Sequence, residues 1–368
     1  MSFWETLDIE NYRKVLVIPN VTNSQNIEKD SFVDVMYNHI IGLNEHGNYF
    51  WNIVLPKPVA KLNLENVKQH IIPFSGDMIH MRVTFPKKLV RLLQELEYDI
   101  IYSHLPDWYM VKRYTEKTII GYAHWWEMKT CNAEDRKNRF RNIAPEIIGA
   151  SQMKVCFLNT QDQKNRVLSE AREWFNDDIV KKLDDTLTVW NLGVPKDKIL
   201  DEPVSKDNII VWPHRAAAYK GYPKFMELMR EYRERRQDFV VWVPQLQGNS
   251  EESWIDNKRV SKSEYYQRLQ KCTVGVQMRQ NNYGWSISAT DCMMNGTPVI
   301  FQESDCYREI DPDGMFFKYK KDLFKYLDRL FDDKNFRLFE SKRSIERADE
   351  LYDNEQEMIE YLHQLLGD

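Results

Sequence analysis

The chain has 368 residues, 42% hydrophobic and 29% charged, with a formal net charge of -5. That length exceeds what one core usually serves, so two domains are expected, and the negative balance argues against a generally cationic nucleic-acid coat while leaving room for a local basic groove. No apolar run approaches the ~20 residues of a membrane helix, the opening MSFWETLDIENYRK lacks the basic-then-apolar pattern of a signal peptide, and five scattered cysteines with no CxxC pair point to reduced thiols in a cytoplasm.

Along the chain, apolar runs alternate with helical spacing. Strands are expected at 15–18 (VLVI), 50–55 (FWNIVL), 99–102 (DIIY), 118–122 (TIIGY), 154–158 (KVCFL) and 186–190 (TLTVW), with helices at 32–43, 86–96, 139–150 and 161–175 among them. The pattern restarts with strands at 208–212 (NIIVW), 238–243 (DFVVWV), 273–277 (TVGVQ) and 297–301 (TPVIF), and helices at 222–235, 262–271 and 288–294. Helices dominate from there to the end. Short strands alternating with helices mean βαβ units and a mostly parallel sheet. Two such series, joined near PKDKILDEPVSKD at 195–207, predict an α/β protein of two Rossmann-like, doubly wound domains facing a cleft. The expected domains are 1–195 and 196–345, with a C-terminal helix at 346–368 packing back on the first. Ligands in such folds bind outside the carboxyl ends of the strands.

The junction VWPHRAAAYKGYPKF, at 211–225, puts Arg215 and Lys220 around three alanines just after a strand. Two cations near a following helix N-terminus suit a diphosphate, and Gly221 would permit close backbone approach. Taken alone, a solvated loop with two basic residues would read the same. A second segment, NYGWSISATDCMMNGTPVI at 282–300, places Gly284 and Ser286 in a turn after a strand. Ser288 is the expected N-cap of the next helix, Asp291 lies one turn in, and Gly296 stands where a C′ glycine belongs.

Together the two segments resemble the retaining nucleotide-sugar glycosyltransferases of the GT-B fold, in particular family 4. Arg215 and Lys220-Gly221 match that family's Arg, four residues, Lys-Gly; Tyr283-Gly284-Trp285-Ser286, then Asp291, then GTPV at 296–299 match its second signature. The resemblance implies that Arg215 and Lys220 grip the donor diphosphate and that Asp291 binds the donor ribose. It implies that Tyr283, Gly284, Trp285, Ser286 and Ile287 line the donor. Tyr283 departs from the family's glutamate at the position that contacts the transferred sugar. TVWNLGV at 188–194 is similar to the family's interdomain segment, whereas PNVTNS at 19–24 replaces its Gly-rich loop. A nucleoside-diphosphate sugar, with UDP-sugar favoured, is therefore the expected co-substrate. Arg215 and Lys220 would stabilise the departing diphosphate, so no metal is required; the DPD at 311–313 reads as a turn.

On the acceptor side, His124 lies just beyond a strand, where the family often has a histidine near the acceptor or the transferred sugar. It is the candidate for orienting a hydroxyl or moving a proton, with a buried, hydrogen-bonded histidine as the other reading. His104 holds a similar place after another strand. Trp125 and Trp126 are adjacent, so they do not both face one core, and at least one is expected to stack on a ligand. From Lys112 to Arg141 there are eight basic and four acidic residues, and Arg136, Lys137, Arg139 and Arg141 are candidates for a nucleic-acid groove as well as for a solvated face. The RAAAYKGY pattern with its Met-containing helix is similar to phage glucosyltransferases that modify hydroxymethylcytosine in DNA. The WPHR run and the YAH segment at 122–124 are similar to enzymes that mannosylate queuosine in tRNA. The expected function is thus cytoplasmic transfer of a sugar to a hydroxyl acceptor, with a modified base in phage-type DNA leading and the host cytoplasm as location if phage-encoded. A small molecule, a glycan or a tRNA base is the alternative acceptor. A non-catalytic nucleotide-sugar or nucleic-acid binding module is the reading from another class.

Overall fold

Arg13–Ile18 reads RKVLVI and forms β1, whose last four side chains are all buried. A strand with no polar alternation belongs inside a sheet covered on both faces. β2 (Tyr49–Leu55) is likewise buried throughout. In a computed structural model of the chain, residues 10–18, 27, 31–72, 87–104, 106–123, 126, 136–246, 252–278 and 284–367 are described. They fall into two units: Met1–Asn159, Gln163–Trp190 and Gln356–Asp368 in the first, Thr160–Asp162 and Asn191–Glu355 in the second.

The first unit adds β3 (Val67–Ile71), β4 (Ile100–Ser103), β5 (Thr118–Tyr122), β6 (Val155–Leu158) and β7 (Leu187–Val189). Its seven strands pair in parallel in the order β3-β2-β1-β4-β5-β6-β7. Its helices are α1 (Ser31–His46), α2 (Lys87–Glu95), α3 (Arg136–Ala150), α4 (Gln161–Trp174) and α5 (Asp177–Thr186). β3 is absent from the sequence reading because VKQHI buries only Val67, as an edge strand does. α5 announces itself by its cap: the Asn176 side chain accepts from the Ile179 N–H.

In the second unit, β8 (Ile209–Val211), β9 (Val240–Trp242), β10 (Ile255–Asp256), β11 (Val274–Gln277), β12 (Val299–Gln302) and β13 (Met315–Phe317) form a parallel sheet in the order β10-β9-β8-β11-β12-β13. Around it run α6 (Tyr222–Arg235), α7 (Lys262–Lys271), α8 (Ile287–Met294), α9 (Asp305–Ile310) and α10 (Lys320–Asp332). The last helix, α11 (Lys334–Gly367), begins in this unit, and its residues from Gln356 onward belong to the first. There Tyr361 stacks on Trp190, with ring centroids 5.9 Å apart. The two cores are separate clusters, one around Leu16, Ile101, Ile147 and Leu158, the other around Ile210, Trp212, Phe225 and Ile300.

α8 begins one residue earlier than its sequence suggests: Ser286, not Ser288, is the N-cap. Its other end is a Schellman closure, with Gly296 N–H bonded to Met293 O and Thr297 N–H to Cys292 O, both at 2.9 Å. Gly296 has φ 63 and the added methyl of an alanine would meet Ile345 at 3.2 Å. Gly296→Ala is therefore expected to destabilise the protein by about 1–2 kcal/mol, read as a fall in the denaturant midpoint.

Candidate functional site

In the second unit the strand order reverses between β8 and β11, which pair in parallel through Ile210↔Val274 and Val211↔Gly275. That reversal opens the crevice in which doubly wound sheets bind ligands, at the carboxyl ends of the strands. Two segments reach that edge: 212–221 after β8 and 284–288 at the start of α8.

The first is rooted in the core. Trp212 is fully buried and stacks on Phe225 of α6, with centroids 4.7 Å apart. Its indole N–H donates to Arg215 O at 3.3 Å, which folds the chain back at once. Arg215 is exposed. A short 3-10 turn, Ala218–Lys220, follows, and Gly221 leaves it with φ 84 to open α6. That left-handed value suits glycine alone, which explains the Lys-Gly pair. Lys220 Nζ sits 5.5 Å from the Tyr219 ring centre. Burial, with Arg215 beside it, lowers the Lys220 ammonium to about 8.

The second segment is mostly sunk: Trp285 and Ser286 are buried, and Gly284, Ile287, Ser288 and Asp291 are half-buried. His214 joins the two segments. Its Nε2 bonds Gln277 Oε1 at the end of β11, and its Nδ1 lies 2.8 Å from Ser288 Oγ in the first turn of α8. Ser286 Oγ donates to the same Gln277 oxygen at 3.2 Å. Burial first, then the Lys220 charge, pushes His214 down to about 3, against the opposing hydrogen bond with Gln277. The ring is neutral at ordinary pH. Asp291 lies four residues beyond Ile287; after burial, its charge is the next cause holding the Tyr265 phenol well above its usual value. The structure thus brings Arg215, Lys220, Trp285, Ser286 and Ile287 to one edge of one sheet. His214 and Gln277 were missed by the sequence reading. The signal available was a polar residue closing the apolar run VGVQ.

Tyr283, His124 and Trp125 lie outside the described residues. Arg136, Lys137 and Arg139 stand on α3, with Arg141, and their side chains are also outside them. Two acceptor candidates are buried. Trp126 is 0% exposed and part of the first unit's core, so it offers no face for stacking. His104 is also 0% exposed, its ring edge-on to Tyr102 at 4.7 Å. Asp311 is buried and paired bidentately with Arg343, at 2.5 and 3.1 Å. A pocket of about 390 Å³ among Asp207, Asn208, Gln237, Asp238 and Trp254 opens at the amino ends of β8 and β9, the end that such sheets do not use for ligands.

No family model and no curated protein matches the sequence. Solved structures do match. Sucrose-phosphate synthase from Thermosynechococcus elongatus is similar with a TM-score of 0.72 at 12% identity, covering 96% of this chain and 99% of that one. HepE of Anabaena, in complex with UDP and glucose, gives 0.68 at 11% identity, covering 95% and 99%. Trehalose-6-phosphate synthase OtsA gives 0.65 at 12% identity, covering 96% and 99%. At these identities the likeness shows the fold: two Rossmann-like units of the GT-B type.

The cation pair has a direct readout. With lysine side chains isotopically labelled, Lys220 is expected to titrate with a midpoint near 8 in the ligand-free protein. Arg215→Ala removes a neighbouring positive charge, so the midpoint should rise. A midpoint near the ordinary ~10.4 in the wild type, unmoved by the substitution, would contradict the geometry.

Proposed function

We infer that the chain is a glycosyltransferase that moves a sugar from a nucleoside-diphosphate sugar to a hydroxyl acceptor, with the anomeric configuration retained. The observation that carries this reading is the 2.8 Å contact between His214 and Ser288. It brings the Arg215–Lys220 loop and the helix bearing Asp291, matched to the donor signatures independently in sequence, to one place at the switch point of the sheet. The GT-B likeness supports it, as do neighbours whose structures hold UDP or UDP-glucose. A UDP-sugar is the donor favoured.

In this reading Arg215 and Lys220 face the diphosphate. Breaking the bond to the sugar builds negative charge on the leaving oxygen, and fixed cations stabilise that charge more in the transition state than before it. The first-turn N–H groups of α8 add the positive end of a helix dipole. The Asp291 carboxylate accepts hydrogen bonds from the ribose hydroxyls, and Tyr283 and His124 are assigned to the sugar side by the family resemblance. For the acceptor, the basic run on α3 speaks for a modified nucleobase in DNA. The neighbours named for sucrose-phosphate and trehalose-6-phosphate speak for a small phosphorylated sugar.

The test is turnover of UDP-glucose and related donors with hydroxymethylated DNA and hexose phosphates as acceptors, with the product linkage read by NMR. Donor binding without transfer or hydrolysis of any donor would favour the non-catalytic module. Arg215→Ala and Lys220→Ala are each expected to weaken UDP binding by about 1.5–3 kcal/mol, measured by calorimetry. Binding should also weaken as pH rises through about 8, where Lys220 loses its charge; bound diphosphate favours the charged form and moves that midpoint upward in the complex. Asp291→Ala should cost affinity for UDP and none for its 2′,3′-dideoxy analogue. An equal loss for both would remove Asp291 from the ribose.

A further inference from the structure

His214 is 7% exposed and Gln277 0% exposed, the one at the root of the 212–221 loop and the other at the end of the apolar run VGVQ. Their hydrogen bonds leave little choice of protonation. The Gln277 amide oxygen only accepts, so His214 Nε2 carries the ring proton and Nδ1 accepts from the Ser288 hydroxyl. The Ser286 hydroxyl donates to the same amide oxygen. Every hydroxyl and ring proton of the four side chains has an acceptor. The Gln277 amide nitrogen, by contrast, is buried without a hydrogen-bond partner. A buried donor left over costs stability, and local costs of that kind concentrate at functional sites. The amide is thus turned to hold two donors from the loop and from α8 rather than to satisfy itself. The ring is also neutral, as that tautomer requires.

Resting on the donor reading above, we propose that His214 is a positioning residue: it fastens the 212–221 loop to the first turn of α8, so that Arg215, Lys220 and the helix N-terminus act on one diphosphate. It is buried beneath the cations and does not itself touch the ligand. Fastening requires that its two bonds, to β11 and to α8, be made together. Cutting either frees the loop. A histidine that served only the core would, on removal, lower global stability without selectively speeding exchange in the loop or weakening UDP.

The experiment uses the full chain with Ser288→Ala, Ser288→Thr, His214→Ala and the His214→Ala/Ser288→Ala double variant. Amide hydrogen exchange over 214–221 is measured without ligand, and UDP affinity by calorimetry. Ser288→Ala and His214→Ala are each expected to speed exchange in the loop and to weaken UDP by about tenfold. The double variant should be no weaker than the worse single one, because both cut the same link. Ser288→Thr, which keeps the hydroxyl, should behave as wild type. Wild-type exchange in Ser288→Ala, or additive losses in the double variant, would overturn the proposal, and Ser288→Ala serves that purpose even where His214→Ala fails to fold. Absence of UDP binding by the wild type would instead remove the donor reading, while the exchange data still decide whether His214 and Ser288 hold the loop.

Discussion

β8 and β11 are hydrogen-bonded in parallel, and the rest of the site depends on that pairing. Parallel neighbours emerge at the same edge of a sheet and need long crossovers to get there. Because the strand order reverses between them, the chain after β8 turns one way and the chain after β11 the other, leaving a crevice. Residues 74 apart in sequence, His214 and Ser288, are delivered to hydrogen-bonding distance as a result. Neither segment would form a site alone. The loop brings cations and no enclosure; α8 brings backbone N–H groups and a half-buried carboxylate but no cation among its own eight residues.

The electrostatics of that edge point outward. Burial first, then the neighbouring Arg215 charge, disfavours the ammonium of the half-buried Lys220 and holds it near 8. An anion placed beside the pair would offset that cost. A charged histidine beneath the pair would add a third positive charge. Burial and the Lys220 charge keep His214 neutral, so it can tie the backbone without entering the charge balance.

The α/β architecture was legible because its strands are nearly uninterrupted apolar runs, VLVI and FWNIVL among them, and such runs are read without knowing their partners. Arg215, Lys220, Gly221 and Gly296 were legible by spacing, and both glycines prove to have positive φ. The short edge strands were not. VKQHI buries a single residue, and Ile255–Asp256 is two residues long, so neither shows a period. Nor was the His214–Gln277–Ser288 cluster, since its bonds cross 63 and 74 residues and no local pattern announces such a pairing. For Trp125 and Trp126, alternation says that one side chain faces away from the core and is silent on which. The burial of Trp126 depends on its place within a cluster that includes Ala123, Ile143 and Ile147.

The first unit has its own reversal, between β1 and β4, and its floor is of a different kind. His104 follows β4 and packs against Tyr102, Tyr122 and His39, with ring centroids 4.7 to 6.4 Å away. The Tyr102 hydroxyl meets His39 Nδ1 at 2.9 Å, and that of Tyr122 donates to Asn159 at 2.8 Å. Burial pushes His39 down to about 3, so it too is neutral. Each tyrosine hydroxyl thus has a side-chain partner of its own beneath the carboxyl edge. The described rings at that edge are aromatic, whereas the corresponding edge of the second unit carries Arg215 and Lys220. A fold shared at 12% identity with sucrose-phosphate synthase does not choose an acceptor, because function resides in the site rather than the fold.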